Sequence, residues 1–334
     1  MILNQVTVSS AVQDLTLEGD HLYALTADRL HVISLVDGAF GVVGAAASPI
    51  RSTLIHQRLF VGDGIAYSTH RNGYNTLNVA DPSKPLLIAA SASTQFGWRQ
   101  LVATGSGLGL AAVGPNSPDA APRVVSLYDL SDPRTTEVVI TAFPTPGNAR
   151  AISIFNGLGY VADDTSGMQV INYLPYDAKG LPPTITLTTS FSSNTAEEGK
   201  SSRVTALVRD DVQVRNVEFH LDSVKVFTDS AFPFEFRFIT PRLTVNTKSF
   251  RLRARAVDTG GNSTWTDELT DTLQPDTTPP RVLHHSPVGG GKALRSLSAH
   301  LDGPLNAATL VLHCYKKRLR IRSADAMIFP ANRN

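Results

Sequence analysis

Two short β-type segments recur in phase four times over the first half of the chain, and this recurrence limits the fold more than any other feature. The first reads Asp20-His21-Leu22-Tyr23-Ala24-Leu25, Gly64-Ile65-Ala66-Tyr67-Ser68, Gly107-Leu108-Gly109-Leu110-Ala111 and Gly157-Leu158-Gly159-Tyr160-Val161-Ala162. The second reads Leu30-His31-Val32-Ile33-Ser34-Leu35, Thr76-Leu77-Asn78-Val79-Ala80, Val124-Val125-Ser126-Leu127-Tyr128 and Met168-Gln169-Val170-Ile171-Asn172. Tyr23, Tyr67, Leu110 and Tyr160 stand about 43 to 50 residues apart, a period at which repeats build solenoids or propellers. Asp81-Pro82-Ser83-Lys84-Pro85 and Ser131-Asp132-Pro133 follow two of the second segments. Asp-Pro sets a turn and removes a ladder donor, so the strand stops there. No helical periodicity accompanies the repeats, and each unit is expected to be short strands joined by Gly, Asn, Asp and Pro turns. The second copy departs from the pattern over 68–75, and the third carries an insertion over 115–122.

The fullest copy runs from Gly147-Asn148-Ala149-Arg150-Ala151-Ile152 to Tyr160-Val161-Ala162-Asp163-Asp164-Thr165-Ser166-Gly167-Met168-Gln169-Val170-Ile171. This pattern resembles the LVIVD repeat, in which a Gly-aromatic strand precedes a Val-Ile-Asp-type strand and then Asp-Pro-Ser-x-Pro. The resemblance covers residues 1–180 and implies β-propeller blades. Only three to four copies are present, which implies an incomplete propeller with an unpaired strand edge.

After Pro175 and Leu181-Pro182-Pro183 the pattern changes to strict alternation. Val204, Ala206 and Val208 alternate with Thr205, Leu207 and Arg209. Val217, Phe219 and Leu221 alternate with Glu218, His220 and Asp222. Phe234, Phe236 and Phe238 alternate with Glu235 and Arg237, and Phe250, Leu252, Ala254 and Ala256 with Arg251, Arg253 and Arg255. A period of two over such lengths means half-buried antiparallel strands. About seven of them in about 90 residues fit an immunoglobulin-like sandwich lacking its disulfide. With Asp258-Thr259-Gly260-Gly261-Asn262 as the turn closing the last hairpin, residues 182–274 resemble the Ig-like domains of large bacterial surface proteins, and are expected to fold as a unit. Gln274-Pro275-Asp276-Thr277-Thr278-Pro279-Pro280 has the composition of a stiff linker. Beyond it, Ser286-Pro287 and the run Leu301-Asp302-Gly303-Pro304-Leu305 to Ala308-Thr309-Leu310 resemble an SbsA-type Ig-like domain, shortened to residues 275–334.

The expected class is therefore all-β: a partial β-propeller followed by Ig-like β-sandwich domains. Composition agrees, since 42% hydrophobic and 18% charged residues among 334 describe a globular chain. The net charge of +1 gives no reason to expect nucleic acid as a partner. The charge is uneven, because Lys316, Lys317, Arg318, Arg320 and Arg322 cluster near the C-terminal end. No run of about 18 apolar residues is present to form a membrane span, and no signal peptide is recognised at Met1-Ile2-Leu3-Asn4-Gln5. The single cysteine, Cys314, excludes an intrachain disulfide and any multi-cysteine metal site.

Candidate chemistry is sparse. Thr104-Gly105-Ser106-Gly107 lacks the nucleophile-elbow spacing, and with Gly109 it reads as a hairpin turn. Gly289-Gly290-Gly291-Lys292 is followed by Ala293, without the hydroxyl a P-loop needs. His284 and His285 are adjacent and, on a strand, face opposite ways. Asp163-Asp164 and Asp210-Asp211 could offer oxygens to a structural calcium ion, the one metal the sequence suggests, although Asp is equally suited to turns. Arg251, Arg253 and Arg255 share one wet sheet face, open to an acidic partner or to cross-strand partners such as Glu218. Trp98 and Trp265 could stack on sugar rings or pack at seams.

No catalytic residue and no organic cofactor is expected. The resemblances imply a non-catalytic segment of a bacterial surface or secreted protein, extracellular or on the cell surface, acting as scaffold, spacer or adhesion module. Its partner would be a protein or a cell-surface glycan. The alternatives are a carbohydrate-binding module and an accessory region of a larger secreted enzyme.

Overall fold

The computed structural model describes residues 5–36, 39–49, 57–90, 95, 97–114, 124–191 and 193–277, and the backbone of 281–288, 296–302, 308–315 and 318–325. The insertion at 115–122 and the run 289–292 lie outside the described residues, as do the side chains of His284, His285, Cys314 and the basic segment near 320. Every described element is a strand apart from one short 3-10 turn at Asp164–Ser166. The all-β expectation holds. The described chain divides into two compact units, one of residues 1–190, 203–237 and 251–269, the other of 191–202, 238–250 and 270–334.

In the first unit the repeats form four antiparallel meanders. The strands are β1 (Val12–Glu18), β2 (His21–Thr26), β3 (Arg29–Ser34) and β4 (Gly41–Ala47), then β5 (Leu59–Gly62), β6 (Ile65–His70), β7 (Gly73–Asn78) and β8 (Leu86–Ala89). There follow β9 (Trp98–Ala103), β10 (Leu108–Val113), β11 (Val124–Asp129) and β12 (Val139–Pro144), and lastly β13 (Ala151–Phe155), β14 (Leu158–Ala162) and β15 (Met168–Ile171). Each sheet pairs its strands in chain order, and the fourth has three strands where the others have four. Both recurring segments are strands in all four copies. The Asp-Pro turns close as expected: Asp81 Oδ1 accepts from Ser83 N at 3.0 Å, and Asp132 Oδ1 from Arg134 N at 3.0 Å. Where the second copy departs from the repeat pattern, over 68–75, the strands are still regular. Ser68 pairs with Asn75 and His70 with Gly73 in an unbroken hairpin. The polar residues of this stretch are buried and bonded, with Ser48 Oγ and Ser68 Oγ 2.7 Å apart and Asn75 Nδ2 donating to Pro49 O at 2.8 Å.

Neighbouring sheets pack through continuous apolar seams. Tyr23, Leu25, Leu59 and Leu77 join the first and second sheets, and Leu110, Val125, Ile152 and Val161 join the third and fourth. Between the second and third, Tyr74, Trp98 and Tyr128 stack at 4.8 to 6.1 Å between ring centroids. This double-sided packing explains why β6 and β10 bury residues pointing both ways, where a half-wet strand would alternate. No closed propeller is present among the described residues.

The alternating second half forms β16 (Thr184–Thr189), β17 (Thr195–Glu197), β18 (Ser201–Arg209), β19 (Val214–Leu221), β20 (Val224–Asp229), β21 (Phe234–Ile239), β22 (Ser249–Asp258), β23 (Ser263–Trp265) and β24 (Leu269–Gln274). β16, β18 and β21 make one sheet, while β19 pairs with β20 and β22, and β23 with β22. Val204, Ala206, Val208, Val217, Phe219, Leu252, Ala254 and Ala256 are all buried, as the alternation required. Leu221, Phe236 and Phe238 are only half-buried. The Asp258–Asn262 turn is closed by its own side chains: Asn262 N donates to Asp258 Oδ1 at 2.8 Å and Asn262 Nδ2 to Asp258 Oδ2 at 2.9 Å.

In the second unit, β17 pairs parallel with β24, and Phe191, Phe238 and Phe250 meet edge to face at 5.7 to 6.3 Å. Thr240 Oγ1 ties this unit's segments by donating to Glu197 O at 2.6 Å while accepting from Lys200 N at 2.9 Å. Beyond residue 280, β25 (Arg281–Val288) pairs with β26 (Ser296–Asp302), and β27 (Ala308–Tyr315) with β28 (Arg318–Asp325), as two hairpins.

Candidate functional site

Within the first unit the β18 and β20–β21 segments seat on the first two meanders, and a cavity of about 460 Å³ lies where they meet. Phe232, in the β20–β21 loop, anchors the contact. Its ring stacks on Phe60 with centroids 6.1 Å apart and fills a socket floored by Gly62 and Gly105. A Cβ at Gly62 would stand 2.5 Å from that ring, and one at Gly105, whose φ is +88°, 2.6 Å from it, so both positions require glycine. The loop is shaped by Asp229, whose carboxylate accepts from Ala231 N at 3.2 Å and Glu235 N at 2.9 Å.

Electrostatic contacts flank this anchor. On the β1–β2 turn Asp20 accepts from Arg237 Nη1 at 2.8 Å, and the Arg203 guanidinium lies against Gly19 while donating to Glu235 Oε1 at 3.0 Å. Farther along, Gln213 Nε2 donates to Asn172 Oδ1, and Asn262 Nδ2 to Asp177 Oδ2 at 2.6 Å.

Glu18 ends β1 at the cavity wall. Burial first, and then the Glu235 carboxylate, push its pKa up from the ordinary value of 4.5 to about 7, against the pull of Arg203 and of the Gly64 and Asp63 N–H groups that it accepts. Tyr23 also lines the cavity. It is 2% exposed. Burial and the nearby Glu18 raise its pKa, so the phenol stays neutral. Burial lowers the pKa of His21 below 6.5, which leaves the imidazole neutral at pH 7. The wall thus presents Glu18, Glu235 and Asp63 against one guanidinium, that of Arg203.

The residues singled out from sequence lie elsewhere. Arg255 Nε is 2.9 Å from Glu218 Oε2, its cross-strand neighbour, and Lys225 Nζ is 3.2 Å from Glu218 Oε1. Arg251 contacts Glu268 at 3.3 Å and Asp222 at 3.9 Å. Arg253 lies 4.3 Å from the Trp265 ring centroid, and His220 meets the same ring at 4.8 Å. Trp265 is 38% exposed, but Arg253 already stacks on it. Trp98 is wholly buried, with Nε1 donating to Gln95 O at 2.9 Å, which removes it from any sugar-stacking role. The acidic pairs also separate. Asp163 is buried and accepts from Gly147 N at 2.8 Å, while Asp164 pairs with Arg150 at 2.6 Å. Asp211 pairs with Lys179 at 3.0 Å; burial, with the charges of Asp258, Asp211 and Asp177, pushes Asp210 up to about 6. Among the described residues no three Asp, Glu, His or Cys side chains are grouped to hold a metal ion.

Sequence reasoning missed the cavity because its members come from six separate stretches of chain. The one local signal was Glu18-Gly19-Asp20, an acidic turn at the head of the first repeat.

A family model described as a bacterial Ig domain matches residues 183–263. No LVIVD-repeat or propeller family is found. No curated protein sequence matches the chain. Among solved structures, the fibronectin(III)-like modules of Clostridium thermocellum CbhA share 15% identity at a TM-score of 0.23, covering 27% of this chain and 98% of theirs. The extracellular domain of the one-component system BT4673 of B. thetaiotaomicron shares 10% identity at 0.28, covering 79% of this chain and 43% of its own. PorZ, a bacterial surface component of the type-IX secretion system of Porphyromonas gingivalis, shares 9% at 0.35, covering 78% and 38%. The chain thus spans less than half the length of these last two. No helix among the described residues is long and apolar enough to cross a membrane.

Proposed function

We propose that this chain is a non-catalytic segment of a bacterial surface or secreted protein, in which propeller-type blades (1–180) and an Ig-like sandwich (182–274) act as one stiff scaffold or interaction module. The observation that carries this reading is the seating of Phe232 between Gly62 and Gly105, with Arg237 on Asp20 beside it. Contacts of this kind argue for a fixed body rather than modules swinging on the Pro182-Pro183 link. The bacterial Ig match over 183–263 supports an extracellular or surface setting. Four meanders in chain order, joined by apolar seams, support the blade reading, and residues 275–334 are read as a shortened SbsA-type domain. Calcium, if bound at the acidic turns, would be structural.

A test is incubation of the purified chain with panels of hydrolase and dehydrogenase substrates, with no turnover expected. Glu18 and Glu235 are the carboxylates best placed for acid–base work. Activity that survives repurification and disappears in Glu18→Gln would overturn the scaffold reading in favour of an enzyme.

A further inference from the structure

We propose that two copies of this chain associate head to tail, the open face of the fourth meander (β13–β15) of one copy seating on β1 of the other, as each meander already seats on the next within one chain. The inference rests on the blade reading and deepens it by naming what meets the two open ends.

At every interior seam the first strand of the following sheet lies against the first strands of the sheet before it: β5 on β1, β9 on β5 and β6, β13 on β9 and β10. The face turned onto the next sheet carries one cross-strand pair at the same place in each repeat. In three sheets the pair is Tyr23 with Val32, Tyr67 with Thr76 and Leu110 with Leu127, and all six side chains are buried. In the fourth it is Tyr160 with Val170, and Val170 is 54% exposed. Two residues earlier on the third strand the contrast repeats, since Leu30, Tyr74 and Val125 are buried and Met168 is 65% exposed. Phe155 is exposed on the same face, because Ile152, Ile154, Val161 and Ile171 point the other way, into the seam with the third sheet.

The first sheet shows the converse on its reverse face. Leu59, Leu101 and Ile152 hold one position of the first strand, and Val61, Ala103 and Ile154 the position two residues on, all buried against the preceding sheet. β1 places Leu15 and Leu17 there, 53% and 61% exposed. The β3 side of this face is covered, with His31 and Ile33 buried and Ser9 Oγ 3.1 Å from His31 Nε2. That leaves β1 free, the strand position that the interior seams use.

Among the described residues, then, one forward face lacks a following sheet and one reverse face lacks a preceding one. Each is shaped by the repeat to receive the other. β13, β14 and β15 carry no charged residue, and the charges of β1, Asp14 and Glu18, alternate with Leu15 and Leu17 onto the opposite face. Exposed sheets are ordinarily defended by charge, and an apolar face without it marks a site of association. Two copies bring twice four meanders, a number within the range of closed propellers, so a dimer joined by two such seams is the expected product.

The experiment is sedimentation velocity of the full chain from about 1 to about 100 µM, a range that brackets micromolar affinity. A dimer that forms as concentration rises is expected. Phe155→Lys with Val170→Lys, or Leu15→Lys with Leu17→Lys, should each leave a monomer, because either change puts unpaired charge into both seams. All four positions are exposed, so melting should not change. Mixing the two variants restores one intact seam, and a 1:1 complex should return. A chain still monomeric at about 100 µM would overturn the proposal and leave the faces to a different partner. A dimer lost in one variant and kept in the other would overturn it in favour of like-to-like contact. Hydrogen exchange tests the unmodified chain: protection of β1 and of β13–β15 should rise with concentration, and a dimer without that rise would overturn the assignment of faces. A monomer that also turns over no substrate would sink this inference and leave the non-catalytic reading standing.

Discussion

The β22 face and the β18–β21 cavity hold similar side chains and treat them in opposite ways. On β22, Arg251, Arg253 and Arg255 stand in a row, yet Glu268, Asp222, Glu218 and the Trp265 ring take up each charge within the same sheet. In the cavity, carboxylates outnumber their single guanidinium. A row of like charges on a strand is settled by its cross-strand neighbours, since they are the first groups in reach. An imbalance persists only where segments from distant parts of the chain meet and each brings its own charge.

Several substitutions would break or sharpen this contrast. The largest effect is expected from Leu252→Asp, which places a carboxylate at a 2%-exposed position between two of the arginines and should cost several kcal/mol, enough to unfold the sandwich strands. Circular dichroism with urea titration reads it, and a stable variant would mean that the register of β22 is wrong by one residue. Phe232→Ala should come next, at about 2 to 4 kcal/mol, because it empties the glycine socket. Faster hydrogen exchange near Gly62 and Gly105, with β22 protection retained, would place the loss at the cavity; uniform loss would contradict that.

Glu18→Gln should act through pH. With its folded pKa raised, Glu18 stays protonated in the native state over a range where the unfolded chain has already lost the proton, so its contribution to stability falls as pH rises from about 4.5 to about 7. The variant should melt with a flatter profile across that window, and an unchanged profile would mean that Glu18 is not strained. Asp210, held at about 6, leaves a residual slope of the same sign from 3.8 upward. The β22 face should respond least. Glu218→Gln, which leaves Arg255 and Lys225 without their shared partner, should cost about 0.5 to 1 kcal/mol. Arg253→Ala should cost about 0.5 kcal/mol or less. A larger loss from Arg253→Ala would show that its stacking on Trp265 supports the strand and is more than surface cover.

What could be read from sequence follows the range of the interactions. The alternation around Val204–Val208 and Phe250–Ala256, the two recurring segments and the Asp-Pro turns report local geometry, and all of them became the expected strands and turns. Residues 68–75 depart from the repeat pattern because Ser68, Thr69, His70 and Asn75 are polar, and only the stacked sheets show that they are buried. Trp98 left both readings open, a seam or a sugar-stacking face, since nothing local distinguishes a seam tryptophan from a surface one, and burial selects the seam. The cavity could not be read at all. Glu18, Asp63, Arg203 and Glu235 are unremarkable in their own neighbourhoods and acquire meaning only once four turns of chain have converged.

The contact between Asp20 and Arg237 spans 217 residues. During synthesis the four meanders can therefore complete their hairpins long before the strands that cover Phe60, Gly62 and Gly105 leave the ribosome. Contacts between residues so far apart in sequence form late, and this is expected to be the slowest step in reaching the native state. Until that step is taken, an apolar groove stands open in the nascent chain, and the cell's chaperones, rather than any ligand, would be the first molecules to meet it.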